Sequence, residues 1–176
     1  NCGLHPSPMP TFFKHGKIRC GFATCFDLYF PEHFALLAAQ EVDLILCPSY
    51  QRSESAERIR SIAQIRALDS GTYLLRSSYA RGRAEIAGRS LVAAPDGTLL
   101  KDAGSDACTV KVELDPHDKF SKPASHGRAL TEHRKLMESK RRPALYRPQW
   151  EQARQLKASP FPRLCAHRGL SQTCQE

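Results

Sequence analysis

No apolar run in these 176 residues approaches the ~20 that a membrane-spanning helix needs, and no charged-then-apolar leader opens the chain. There is no C-x-x-C pair and no H-E-x-x-H, so the common zinc frameworks are absent, and Cys165-Ala-His167 is too little to make one. The seven cysteines are odd in number and lack short paired spacings. That pattern argues against a disulfide framework and for a reducing, cytoplasmic setting. No internal repeat is present.

What the chain does have is an ordinary globular composition, 41% hydrophobic, and enough length to bury a core. Its formal charge of +8 comes from 26 basic against 18 acidic residues. Much of it gathers late, in Arg128, Arg134, Lys135, Lys140, Arg141, Arg142 and Arg147. Such a run can attract phosphate, but without interleaved aromatics it reads as a solvated helix face, and nucleic acid is not the expected partner. The opening, Asn1 to Pro10, looks like a loop entered midway, so the expectation is a fragment of a longer protein.

Lys17 to Ala23 reads as a strand and Pro31 to Gln40 as a helix with Phe34, Leu37 and Ala38 on its buried face. Asp43 to Cys47 is a short apolar strand closed by Pro48-Ser49, and Ser55 to Ser70 a helix with Ile59, Ile62, Ala63 and Ala67 inward and Gly71 as its C-terminal cap. Strand, helix, strand at this spacing implies parallel neighbours. Thr72 to Ser78 follows as a strand, then an exposed connection through Arg81 and Gly88. Arg89 to Ala94, the turn Pro95-Asp96-Gly97 and Thr98 to Lys101 make a hairpin. Residues 108–114 alternate like a strand with one wet face, 115–130 look irregular, and Thr131 is placed to cap a helix to about Lys140. The prolines at 148, 160 and 162 mark 148–162 as a linker between a domain over 1–147 and a tail over 163–176. The whole implies a layered α/β domain.

Within this order Gly21-Phe-Ala-Thr-Cys25-Phe-Asp27-Leu-Tyr-Phe-Pro31-Glu32 carries the most chemistry. It sets a thiol where a buried strand turns into a helix, on rigid backbone at the edge of a cleft, as nucleophilic catalysis requires. Glu32 sits where a carboxylate complements the helix dipole.

Several motifs, in order, resemble the carbon–nitrogen hydrolase (nitrilase) superfamily over residues 12 to about 147. The Cys25 segment resembles that family's cysteine motif, and Asp43 to Pro48 the strand after it. Ile65-Arg66-Ala67-Leu-Asp69-Ser70 is similar to its Arg-Ala-x-Glu-Asn stretch, with Asp69 and Ser70 in place of the commoner Glu and Asn. Gly88-Arg-Ser90 to Pro95-Asp-Gly97 resembles its Gly-x-Ser…Pro-x-Gly hairpin, and Arg142-Pro143-Ala-Leu145-Tyr146 its closing motif. The resemblance implies part of an α-β-β-α sandwich, truncated on its N-terminal side, that commonly dimerises. It also implies a Glu–Lys–Cys site that hydrolyses amide, carbamoyl or nitrile carbon–nitrogen bonds of small molecules without a cofactor. Cys25 carries over as nucleophile and the Phe26 backbone N–H as an oxyanion donor, with Tyr50, Tyr79 and Arg81 as pocket candidates. The family's glutamate and lysine lie upstream of the cysteine. No Asp or Glu precedes Cys25, while Lys14 and Lys17 sit at the entrance of its own strand. The expectation is therefore a nucleophile whose base and lysine this chain does not supply. A non-catalytic interaction domain on the same fold is the alternative.

At the far end, His167-Arg168-Gly169 with Glu176 nine residues after the histidine resembles the opening of glycerophosphodiester phosphodiesterases. That resemblance implies His167 as acid/base, Arg168 on phosphate and Glu176 on a divalent metal, if a complete barrel follows.

Overall fold

The computed structural model describes residues 9–51, 54–80 and 88–156, without the side chains of 150, 151 and 153–156. Residues Ser7–Ser139 group as one compact unit, and those from Lys140 on belong to a second.

In the first unit the chain opens with a hairpin, β1 (Phe12–His15) and β2 (Ile18–Phe22), turned at Gly16 with φ 59°. From β2 it runs through a 3-10 turn (Cys25–Tyr29) and α1 (Pro31–Ala39) to β3 (Leu44–Ser49). It continues through α2 (Ala56–Ser70) to β4 (Tyr73–Ser78). The strands β2, β3 and β4 are parallel. A second hairpin, β5 (Leu91–Ala93) and β6 (Leu99–Asp102), completes a six-stranded sheet in sequential order.

Local chemistry sets the helix ends. Pro31 stands at the start of α1, where its missing N–H costs nothing. The Ser55 hydroxyl accepts the Arg58 N–H at 3.2 Å to cap α2, and Gly71, at φ 60°, ends it in the left-handed region. There an added Cβ would lie 2.8 Å from the Arg134 Cβ. Both helices cover one face of the sheet. Phe34, Leu37, Ile59, Ala63 and Ala67 are sealed against Ile45, Cys47, Leu74, Leu91 and Ala93. Gly21 of β2 permits this approach, since a Cβ would meet Leu37 at 2.9 Å and Val42 at 3.1 Å.

The hairpin motifs acquire physical roles. Ser90 Oγ accepts the Ser78 N–H at 3.0 Å and donates to the Ser78 carbonyl at 3.2 Å, extending the β4–β5 pairing. Gly88 comes so close to the Tyr79 carbonyl that a Cβ would lie 2.6 Å from it. The turn before β6 is closed by Asp96 on the Thr98 N–H and hydroxyl, both 2.8 Å, and Gln64 of α2 holds it through the Gly97 carbonyl at 2.9 Å.

Several expectations need correction. Residues 108–114 keep their alternation, with Val110, Val112 and Leu114 half-buried and Lys111 and Glu113 exposed, but form no ladder. A pleat alone is not a strand; it needs a partner edge, and no described residue pairs with it. Within 115–130, expected to be irregular, lies β7 (Ser121–Pro123). It pairs with β8 (Leu130–Glu132), which absorbs Thr131, so α3 begins at His133 and ends at Lys140. Of the two lysines, Lys17 stands in the turn just before β2, at the entrance of the cysteine strand, but Lys14 is on β1; both are exposed. Arg134 leaves the solvated basic face, donating to the Val42 carbonyl at 2.7 Å. In the second unit, α4 (Pro143–Leu156) is helical across 148–156, where proline content had indicated a linker; Pro143 is its first residue and Pro148 lies inside it.

Candidate active site

The C-terminal ends of β2, β3 and β4 converge on Cys25. In an open α/β sheet this edge is where chain crossings leave room for a ligand. Cys25 itself has φ 48°, a left-handed conformation that a non-glycine residue adopts at a cost of roughly 1–3 kcal/mol. Such strain persists only where neighbours over-determine it, and here they do.

Asp27 accepts the Thr24 N–H at 2.7 Å and returns its own N–H to the Thr24 carbonyl at 2.9 Å, closing the turn on itself. From α2, Arg66 Nε donates to the Leu28 carbonyl at 2.8 Å while its Nη1 pairs with Asp69 at 2.9 Å. The arginine of the Arg-Ala motif thus clamps the cysteine turn. On the far side the Tyr29 hydroxyl donates to Glu54, which also takes Arg58 at 2.6 Å. Burial, then the Glu54 carboxylate, push the Tyr29 phenol above its ordinary range. The Tyr29 bond, then Arg58, hold Glu54 below its own.

The Cys25 sulfur is half-buried and accepts the Tyr50 backbone N–H at 3.4 Å. Beneath it Cys47 is 1% exposed; burial pushes its thiol up, against the Ser49 hydroxyl at 3.5 Å. The rim is aromatic: Tyr50 meets Tyr79 edge-on at 4.7 Å, and Phe26 contacts Tyr29 at 5.2 Å and Phe30 at 5.5 Å. An open cavity of about 280 Å³ lies along Pro48, Ser49, Ser77, Ser78 and Tyr79.

The fold therefore brings together Cys25, Phe26, Tyr50 and Tyr79. Arg81 and the His167, Arg168 and Glu176 set lie outside the described residues. Glu32 is in the first turn of α1, and no lysine or carboxylate bonds the Cys25 sulfur among the described residues. No group of three or more His, Cys, Asp or Glu side chains is arranged to hold a metal among them either. Gln51, Glu54 and Arg76, which also shape this site, carry no sequence motif, whereas Asp27, Tyr29, Arg66 and Asp69 sat inside motifs.

The carbon–nitrogen hydrolase family model matches residues 6–118. The chain belongs to the carbon–nitrogen hydrolase family. Two curated relatives align with it over 55% of its length. One is a protein of Pseudomonas protegens described as "Hydrolase in pqqF 5'region", 30% identical over 99 residues. The other is a deaminated glutathione amidase of Dictyostelium discoideum, 26% identical over 104 residues. Among solved structures, a variant of the amidase from Nesterenkonia sp. AN1 has a TM-score of 0.63 at 22% identity, which shows the shared fold. That structure displays the result of Michael addition of acrylamide at its active-site cysteine. The match covers 83% of this chain and 51% of the amidase, while the alignments span 35% and 36% of the two curated relatives. The chain thus spans about half or less of the proteins it matches.

Proposed function

We propose that Cys25 is the nucleophile of a hydrolase acting on carbon–nitrogen bonds of small amides, with carbamoyl compounds and nitriles as the related substrate classes. The observation that carries this reading is the strained Cys25 at the strand-end cleft, its sulfur already met by a backbone N–H. The thiolate would attack the amide carbon, the C–N bond would break as the nitrogen leaves with a proton, and water would hydrolyse the resulting thioester. The Phe26 N–H, next along the turn, is the candidate donor to the oxyanion. The reaction needs no cofactor, and seven cysteines, odd in number and without short paired spacings, favour a cytoplasmic setting. By analogy with the family the complete domain forms a homodimer or a higher oligomer.

A thiol without a base or a lysine at hand is a poor catalyst, and each such group is typically worth a factor of about a hundred to a thousand. The 176-residue chain should then release no measurable ammonia from small aliphatic amides, while limiting iodoacetamide labels Cys25 ahead of the other cysteines. Robust turnover, lost in Cys25→Ala, would sink the inactivity and keep the nucleophile; uniform labelling would sink the nucleophile and favour a non-catalytic interaction domain. A fusion to a metal-dependent phosphodiesterase, resting on His167, Arg168 and Glu176, is tested separately by sequencing the transcript beyond Glu176 for further metal-binding carboxylates.

A further inference from the structure

Arg76 is the largest side chain sealed in the core, 1% exposed. It lies on the helix-covered face of β4, opposite Cys47 in the ladder with β3. Hydrophobic neighbours are the rule at such a place, because a buried charge is expensive unless paired and fully bonded. No ion pair among the described residues includes Arg76. Its guanidinium is instead held by neutral oxygens. Nη1 donates to the Gly88 and Arg89 carbonyls, both at 2.7 Å, and Nη2 to Gln51 Oε1 at 2.9 Å and Ser78 Oγ at 3.5 Å. Nε is buried with no acceptor among the described residues. Burial draws the guanidinium below its ordinary pKa, and the nearby Cys47, Cys25 and Tyr29 work in the opposite direction.

A buried cation with an unused donor calls for a reason beyond packing. Gln51 supplies one. It is 8% exposed, follows Tyr50 in sequence, and is fixed by Arg76 at the mouth of β3. Its neighbour's N–H is the group on the Cys25 sulfur. Arg76 also binds the two residues that enter the Gly-x-Ser hairpin, so one guanidinium ties the loop after β3 to the segment leading into β5.

We propose that Arg76 is a positioning residue of the Cys25 site: through Gln51 it fixes the Tyr50 amide on the sulfur. This rests on Cys25 being the nucleophile, and the test separates the two claims. In the 15N-labelled chain, Cys25→Ala gives the Tyr50 amide resonance without its sulfur acceptor. Arg76→Met and Gln51→Leu should both move that resonance toward the Cys25→Ala position. In the same two variants, iodoacetamide should alkylate Cys25 about tenfold more slowly, the worth of one charge-assisted contact, with the exposed Cys108 unaffected. Arg76→Lys, which keeps the charge but loses the fork, should recover part of the rate. A folded Arg76→Met chain with the wild-type Cys25 rate overturns the proposal, and so does an unmoved Tyr50 amide. If Arg76→Met does not fold, Gln51→Leu decides by the same two readings. If wild-type Cys25 reacts no faster than Cys108 while the Tyr50 amide still follows Arg76, the nucleophile reading fails and the clamp stands.

Discussion

The two faces of the six-stranded sheet are built on different principles. On the helix-covered face the alternate residues Ile45, Cys47, Leu74, Arg76, Leu91 and Ala93 are all 2% exposed or less, and the cysteine turn is pinned above them. On the other face Cys20, Tyr73 and Val92 are buried, but Phe13, Phe22 and Leu75 keep 42%, 40% and 36% of their surface. One strand serves both: in β4, Leu74 points into the first face and Leu75 into the second. Stability and the candidate chemistry are thus concentrated on one side, while the other side carries apolar surface that this unit does not itself cover. A sheet face left this way marks a contact surface more often than a solvent-facing one.

The largest effect should come from breaking that asymmetry within β4. Leu74→Ala removes a side chain with no exposed surface and leaves a cavity, for an expected loss of about 2–5 kcal/mol. Leu75→Ala, one residue along, should cost under about 1 kcal/mol, because much of its transfer energy is never realised. Urea titrations of the two variants measure the difference. Equal losses would mean that the second face is covered in solution.

How far the sequence reached follows the same division. The elements of the covered face were legible because their signals are local. Pro31 and Ser55 start helices, Gly71 ends one, and the apolar period of each element agrees with its place. Cys25 was legible as a residue but its φ of 48° was not, since that strain depends on Arg66 and Glu54 arriving from α2 and the chain just before it. Arg76 was hidden inside an apolar strand, because its shortest bonds go to residues 12, 13 and 25 positions distant. On the second face and beyond, signals were non-local or contradicted by context. The alternation at 108–114 found no edge, and Pro148, where composition had marked the start of a linker, fell inside a helix.

A smaller effect should appear on acidification, at the place where charge holds the second face. Asp43, just before β3, accepts the Arg19 N–H at 2.9 Å and the Lys119 ammonium at 2.8 Å. Lys119 lies in the segment that lines a cleft with Tyr73 and Phe120. Desolvation works to raise the Asp43 carboxyl, but the Arg19 N–H and Lys119 outweigh it and hold it below its ordinary value. Its folded pKa is therefore the lower one, so the unfolded chain takes up the proton first. The contribution is complete above the unfolded value, about 3.9, and is lost as pH falls from there through the folded value. With allowance for solvent screening it should be about 1–2 kcal/mol. Asp43→Asn should remove this part of the pH dependence between pH 5 and pH 2, as followed by denaturant midpoints. An unchanged slope would assign the acid sensitivity to other carboxylates, with Asp102, held low by the Gly104 N–H, Arg60 and Arg89 against its own desolvation, as the first alternative.

The smallest effect should come from Phe22, and its smallness is informative. Phe22 stacks on Phe13 at 5.5 Å across the β1–β2 hairpin, with both rings part-exposed. Phe22→Thr keeps a strand-forming residue and gives up one exposed aromatic pair, so monomer stability should change by under about 1 kcal/mol. The reading that separates structure from contact is the sedimentation of the chain at rising concentration. If the second face is a contact surface, the wild type should self-associate and Phe22→Thr should weaken it, with the urea midpoint nearly unmoved. A variant that loses stability without changing association would place Phe22 in the core after all, and the two faces would then differ in degree only.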